Sequence, residues 1–468
     1  MNEMAGGERT AAGEATVCPV TRRICACPAA IGVFVLAVAV RVPFLFSPGF
    51  PADQTQFIEW SEKARTAGLA EVYEKRPDGK RFCNYPPGYV FVLWWLGAAY
   101  DRLAPAGVTL DDTVAWAVWS HQDSPAARLA VWFYKTPAVF ADALLGALLV
   151  TWLTGRIGRW KAAAVGAIYV LMPAAIHDSA VWGQTDAIHT LLMVASLEMA
   201  RRRNIRLMAI LATFALLTKA QALVLLPVWA MVTLDWCGGD VRRWLTTVAV
   251  VALVIVVVLA PFSACLDGVW EAYAGAAGYY PFTHLNGFSA WFLRNPLDRP
   301  HLEGRLDRFY APDDAKGWLD VTPRTLGLGT VLAVWGVVLL VLRQRRGDER
   351  ALFWAARLLP VAFFVLSTQM HERYLFPAIA IWAWAYRARW RWWACWLVLG
   401  AAASVNQLWA WAGPQSASWA RVIGEALHQQ WVGMTCAAAI AAVFVVVLVG
   451  GLDGRDIIGK KTPAAQGV

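Results

Sequence analysis

Residues 207–234 read LMAILATFALLTKAQALVLLPVWAMVTL, with Arg206 before them and Asp235 after. A straight helix of that length would run roughly 42 Å, against about 30 Å for the hydrocarbon core of a bilayer. Lys219 lies near its middle. A single span would bury that ammonium in lipid, which is costly. Two short helices meeting at a turn near Thr218–Gln221 remove both difficulties. Non-helical backbone at membrane depth is tolerated only where protein or a water-filled space covers it, so the turn should face a cavity. The segment predicts a membrane protein with a polar interior site.

The whole chain agrees. Of its 468 residues, 58% are hydrophobic and 16% charged, and the mean hydropathy is +0.45. Soluble domains carry about 25% charge, so a soluble fold, a disordered chain and a disulfide scaffold are all disfavoured. The net charge of +9 first suggests nucleic acid. The basic residues form no single patch, however, and nucleic acid is not expected as a partner. They recur in clusters between apolar runs: Arg156, Arg159 and Lys161; Arg201, Arg202, Arg203 and Arg206; Arg343, Arg345 and Arg346; Arg387, Arg389 and Arg391. That is the positive-inside pattern. The 27 Trp suit membrane interfaces. The eight Cys show no metal spacing. Cys83 and Cys265 both fall in loops expected outside, where they either pair or stand as two free thiols.

Further apolar runs occur near 29–47, 86–104, 134–154, 161–177, 184–200, 243–262, 325–343, 351–369, 374–390, 392–412 and 432–451. The expected fold class is an all-α polytopic membrane protein with about 12–14 transmembrane helices. Residues 1–28 read as a cytoplasmic tail, 29–390 as a catalytic membrane domain, and 391–468 as C-terminal helices with a short tail. With the Arg clusters inside, two long loops lie outside, 48–85 and 263–324, with shorter outer segments at 178–183, 218–221, 369–373 and 413–430. One parity problem remains before Arg156. Either 112–133 hides a short crossing or the 86–104 run does not fully span. In the first long loop, Asp53 and Gln56 have capping-box spacing. Phe57, Trp60, Ala64 and Ala67 then recur at helical intervals, as in a helix lying on the outer surface.

Polar groups at membrane depth cost free energy and call for a reason. Here they gather on one expected side: Asp53, Tyr85, Gln184, Asp186, Lys219, Gln221, His371, Glu372 and Arg373. Cations there would hold a lipid-borne phosphate and stabilise a leaving group. A carboxylate would accept a proton from an attacking hydroxyl, and Asp53 suits that role. Plainer readings stand beside these. Asp53 would serve as a helix N-cap, Asp186 as a cap or interhelical partner, Lys219 as a snorkelling side chain and His371–Arg373 as a solvated turn. Lys135 and Asp142, seven residues apart on one helix face, would pair through a neighbour.

The order of motifs resembles a known superfamily. Asp53 is followed by Tyr85-Pro86-Pro87-Gly88-Tyr89, Lys135-Thr136-Pro137 with Asp142, and Trp182-Gly183-Gln184-Thr185-Asp186. Thr218-Lys219-Ala220-Gln221 and Met370-His371-Glu372-Arg373-Tyr374-Leu375-Phe376-Pro377 complete the series. Over residues 30–380 the chain resembles the GT-C integral-membrane glycosyltransferases. The likeness is closest to bacterial mannosyltransferases related to the glycosylphosphatidylinositol-anchor second mannosyltransferase. It extends to dolichyl-phosphate-glucose-dependent glucosyltransferases. The resemblance implies transfer of mannose or glucose from a polyprenyl-phosphate donor to a lipid, glycan or protein acceptor on the extracytoplasmic face. It implies Asp53 as general base, and Lys219, Gln221, His371, Glu372 and Arg373 at the donor site. With Tyr85, Lys135, Asp142, Gln184 and Asp186, these make the expected substrate-binding set. No metal or other cofactor is expected, because phosphate already leaves readily. Many members carry an acidic pair in the first loop, where this chain has Gln54 after Asp53. The Ala-, Arg- and Trp-rich composition points to a bacterial inner membrane. The rival functions are a flippase for a lipid-linked sugar, a pyrophosphate-donor ligase and a non-catalytic assembly protein. A transporter should show related halves, and none are visible here. A ligase would favour more Arg and His in the outer loops.

Overall fold

The computed structural model describes residues 19–452 except 77–78, 80, 107, 276–277, 298–308, 317–319, 388, 412–421 and 423–425. Residues 1–18, most of the expected outer segment 413–430 and the tail after 452 therefore lie outside the described residues. The protein is an all-α polytopic membrane protein. Six helical stretches are long and apolar enough to cross a bilayer: Pro28–Leu45, Pro125–Ile157, Ala220–Cys237, Val241–Ala274, Pro323–Gln344 and Gln430–Gly450. A seventh is added if Arg159–Leu171 and Pro173–Trp182, bent by 56°, count as one span.

Among the described residues this is fewer than the expected 12–14, and the reason is physical. Apolar sequence is buried in protein as readily as in lipid. Phe376–Trp384 is nine residues long with every side chain buried. At about 14 Å it is too short to cross, so the run 374–390 is not a spanning helix. Glu349–Leu366 is likewise buried on nearly all sides. On Val241–Leu259, by contrast, only Thr247 and Val258 are buried. Asp112–Trp119 has eight residues, so 112–133 hides no crossing of its own.

The break at Thr218–Gln221 is present. The helix Ile205–Thr218 ends at Lys219, whose backbone is extended (φ −154°, ψ 128°). A 3-10 turn, Ala220–Leu225, then leads into the helix Leu226–Cys237. The second bend, at Met172–Pro173, is held by a buried cluster. Arg41 bonds Asp142 at 2.6 Å and donates to the carbonyl of Val170 at 3.0 Å. Asp142 also accepts from Tyr169 at 2.5 Å and from Ser179 at 3.2 Å. Arg41 thus satisfies a carbonyl just before the bend, while Asp142 neutralises it.

In the first long loop, the helix Pro51–Thr66 carries Phe57, Trp60 and Ala64 on its buried face, and it packs on Pro87–Leu103. Its N-cap is Phe50, without a side-chain cap bond. Asp53 therefore sits at the third position of the helix, within its first turn, and is not the cap that its spacing suggested. Glu62 lies beside Asp111 and Asp112, and burial together with Asp112 pushes its carboxyl up to about 7. The folded state keeps a proton that the unfolded chain releases near pH 4.5. Stability is full below that value and falls as pH rises through about 7. Glu62→Gln is expected to raise the melting midpoint at pH 8 and leave it unchanged at pH 4. Equal shifts at both pH values would refute the pairing.

The second long loop returns to the bundle as a short parallel ladder, with His284 beside Met370 and Leu285 beside His371. Asp313 anchors it. This buried carboxylate accepts from Arg324 at 2.6 Å, Gln369 at 2.8 Å and Thr368 at 2.9 Å. Cys83 and Cys265 are both free thiols.

Candidate functional site

The helix Pro51–Thr66, the Tyr85–Pro86 turn, the Lys219–Gln221 break, the His371–Tyr374 turn and the second long loop enclose one cavity of about 260 Å3. Asp53, Tyr85, Lys219, Gln221, His371, Glu372 and Arg373 all line it. Two more expected residues stand directly behind that wall. Asp186 accepts from Lys219 Nζ at 2.6 Å and lies 3.6 Å from Arg373 Nε. Gln184 accepts from the Tyr85 hydroxyl at 3.3 Å.

Asp53 is held on one side only. Trp182 Nε1 donates to its Oδ2 at 2.6 Å, and Gln184 Nε2 donates to the same oxygen. Oδ1 takes no hydrogen bond among the described residues and is left as the acceptor toward the cavity. Trp182 is itself fixed by stacking on Phe50, ring centroids 4.5 Å apart, and by its carbonyl, which accepts from Phe50 N at 3.0 Å. Six-residue π-helical winding over His177–Trp182 ends at Gly183 in left-handed conformation (φ 82°, ψ 35°), and such windings recur at functional sites. Gln54, which follows Asp53, is buried and donates to the carbonyl of Gly183 at 2.9 Å. A second carboxylate here would meet that carbonyl and the carbonyl of Trp182 without a proton to offer. The site is thus built for an amide at this position.

The cations are presented by carboxylates. Lys219 lies on Asp186, with the rings of Tyr374 and Tyr85 at 5.6 and 5.7 Å from its ammonium. Arg373 bonds Glu372 at 2.8 Å and lies over Trp182 at 5.5 Å. Burial would raise the Glu372 carboxyl, but His371 and Arg373 bring it below the ordinary value. Burial holds the His371 imidazole below its own usual value. Gln221 brings an amide to the wall with neither polar atom hydrogen-bonded, and Asn84 Oδ1 is also without a partner. Among the described residues, no cluster of three metal-binding side chains occurs.

Lys135 and Asp142 are not brought to the cavity wall. Lys135 Nζ donates to the carbonyl of Ser47 at 2.6 Å, to Ser47 Oγ at 3.0 Å and to the carbonyl of Phe44 at 3.1 Å. It therefore ties down the end of the first helix. Asp142 belongs to the bend cluster with Arg41. The two residues share a helix but serve different backbones. Sequence reasoning left out Phe50, Trp182, Tyr279, Tyr280, Asn286, Tyr310 and Tyr374, all on the wall. Trp182 and Tyr374 were within motifs already quoted, whereas the loop residues carried no periodic signal.

Gly183→Ala tests the local design. A Cβ there would meet Gln54 Nε2 at 2.6 Å and Lys135 Cγ at 2.7 Å, on a backbone that disfavours it. The expected result is destabilisation of about 1–3 kcal/mol, with Trp182 and Gln184 displaced from Asp53. An unchanged melting curve would contradict this packing. Compared with known protein families and with curated proteins, the chain matches none.

Proposed function

We propose that the protein is a glycosyltransferase. It moves a hexose from a polyprenyl-phosphate carrier to a hydroxyl acceptor at the extracytoplasmic side of a bacterial inner membrane. The observation that carries this reading is the meeting of Asp53, Lys219 and Arg373 on one cavity wall, from three distant stretches of chain. Lys219 and Arg373 engage the phosphate, and the unsatisfied amide of Gln221 offers it a further donor. Asp53 Oδ1 takes the proton of the acceptor hydroxyl as its oxygen attacks the anomeric carbon. The bond from that carbon to the phosphate oxygen breaks, and its electron pair leaves on the phosphate. The cations stabilise the charge that develops there. Trp182 and Gln184 keep the carboxylate from turning away. The acceptor class stays broad: lipid, glycan or protein.

The test uses the full chain in nanodiscs with radiolabelled polyprenyl-phosphate mannose or glucose and an acceptor lipid extract. Label is expected in a product other than the carrier, and this transfer should require Asp53. Label that only changes leaflet would instead establish a flippase.

A further inference from the structure

We infer that Asn286 is a specificity-determining residue that donates a hydrogen bond to a hydroxyl of the transferred hexose; this rests on the glycosyl-transfer reading. Asn286 lies in the second long loop, just past the two-residue ladder, and lines the cavity with Tyr280, Tyr310 and His371. Its backbone is left-handed, with φ 63°. Asn tolerates that region better than most side chains, but Gly would suit it better still. A side chain is thus kept where the backbone favours having none, and strain of this kind concentrates at functional sites.

The side chain is also aimed. The Tyr310 hydroxyl donates to Asn286 Oδ1 at 2.7 Å, which fixes the rotation of the amide. Asn406 Nδ2 donates to the Asn286 carbonyl at 2.6 Å, and Asn406 Oδ1 accepts from Phe288 N at 2.9 Å. One helix of the bundle therefore locks the loop from behind. The Asn286 Nδ2 donates to no partner among the described residues. Tyr280, whose ring lies 5.5 Å from that of His371, adds an aromatic face to the same wall. An oriented amide donor beside aromatic rings is chemistry suited to a sugar, whose C–H faces pack on rings and whose hydroxyls accept. With the phosphate on Lys219 and Arg373 and the acceptor at Asp53, the hexose lies between them and is the part of the donor that this wall meets.

The experiment measures equilibrium binding of three carriers to the full chain in nanodiscs: bare polyprenyl phosphate, its mannosyl form and its glucosyl form. Wild type should bind one hexosyl form more tightly than the bare carrier. Asn286→Gly, which suits the backbone, and Asn286→Ala should each weaken that form about tenfold. They should narrow the mannosyl–glucosyl preference and leave bare polyprenyl phosphate unchanged. A selective wild type with variants that keep its preference overturns the inference alone. Equal losses for bare and hexosyl carriers also overturn it, because Asn286 would then only shape the cavity. A wild type that binds all three alike overturns the inference, because the hexose then meets no selective contact, while the transfer reading stands or falls on the labelled-sugar assay.

Discussion

Asp53→Asn is expected to lower turnover by about 10²–10⁴-fold, the usual range for losing a general base, while leaving the melting curve in place. The Asn carbonyl can still accept from Trp182 Nε1 and Gln184 Nε2, which both bond one oxygen of Asp53. The amide nitrogen then stands where Oδ1 stood and offers a donor in place of a proton acceptor. Geometry is kept and the proton sink is lost. Single-turnover transfer from labelled carrier checks this. Full activity in Asp53→Asn would remove the assignment of the base, whatever became of the rest. Asp53→Ala should lose activity and local order together, and the contrast between the two variants separates proton transfer from packing.

Lys219→Met should have two effects that a second substitution pulls apart. Lys219 and Asp186 form a buried pair at 2.6 Å. Removing Lys219 leaves Asp186 with only the longer contact to Arg373 at 3.6 Å, at a cost below the about 3–5 kcal/mol of a fully broken buried pair. On the proposed reading the carrier phosphate would also lose a charge-assisted hydrogen bond worth about 1.5–3 kcal/mol, so affinity for bare polyprenyl phosphate should fall. Adding Asp186→Asn removes the stranded charge. The double variant should regain most of the melting midpoint and none of the carrier affinity. If affinity returned with stability, Lys219 would be a structural ion-pair partner only, and the carrier phosphate would need another anchor.

The parts of the molecule visible in its sequence share one cause. Lys219 inside an apolar run has few acceptable fates, so the broken helix and its cavity followed from that residue alone. Asp53, His371, Glu372 and Arg373 were found because polar groups at the ends of apolar runs are conspicuous. Lys135 and Asp142 were equally conspicuous, but the direction of a side chain from a long helix depends on its neighbours. Of the residues that claim them, Arg41, a lone cation inside the apolar run 29–47, was a signal left unread, whereas Ser47 carried none. The run 374–390 misled for a related reason, since hydropathy does not distinguish lipid from the interior of a bundle. Asn286 and Tyr310 come from a loop whose register is set by the two-residue ladder and by Asp313, contacts too distant in sequence to be read from periodicity.

The ring of carboxylates behind the cations bears on how a turnover would end. Asp53, Asp186 and Glu372 outnumber Lys219 and Arg373 around the cavity, so the empty chamber leans toward negative charge. A carrier stripped of its hexose holds one more ionisable oxygen than it arrived with. On the proposed reading, once Asp53 shed its captured proton to the surrounding water, like charges would face each other across the chamber. In the proposed reaction that repulsion would offset part of the pull of Lys219 and Arg373 on the spent carrier and so speed its release.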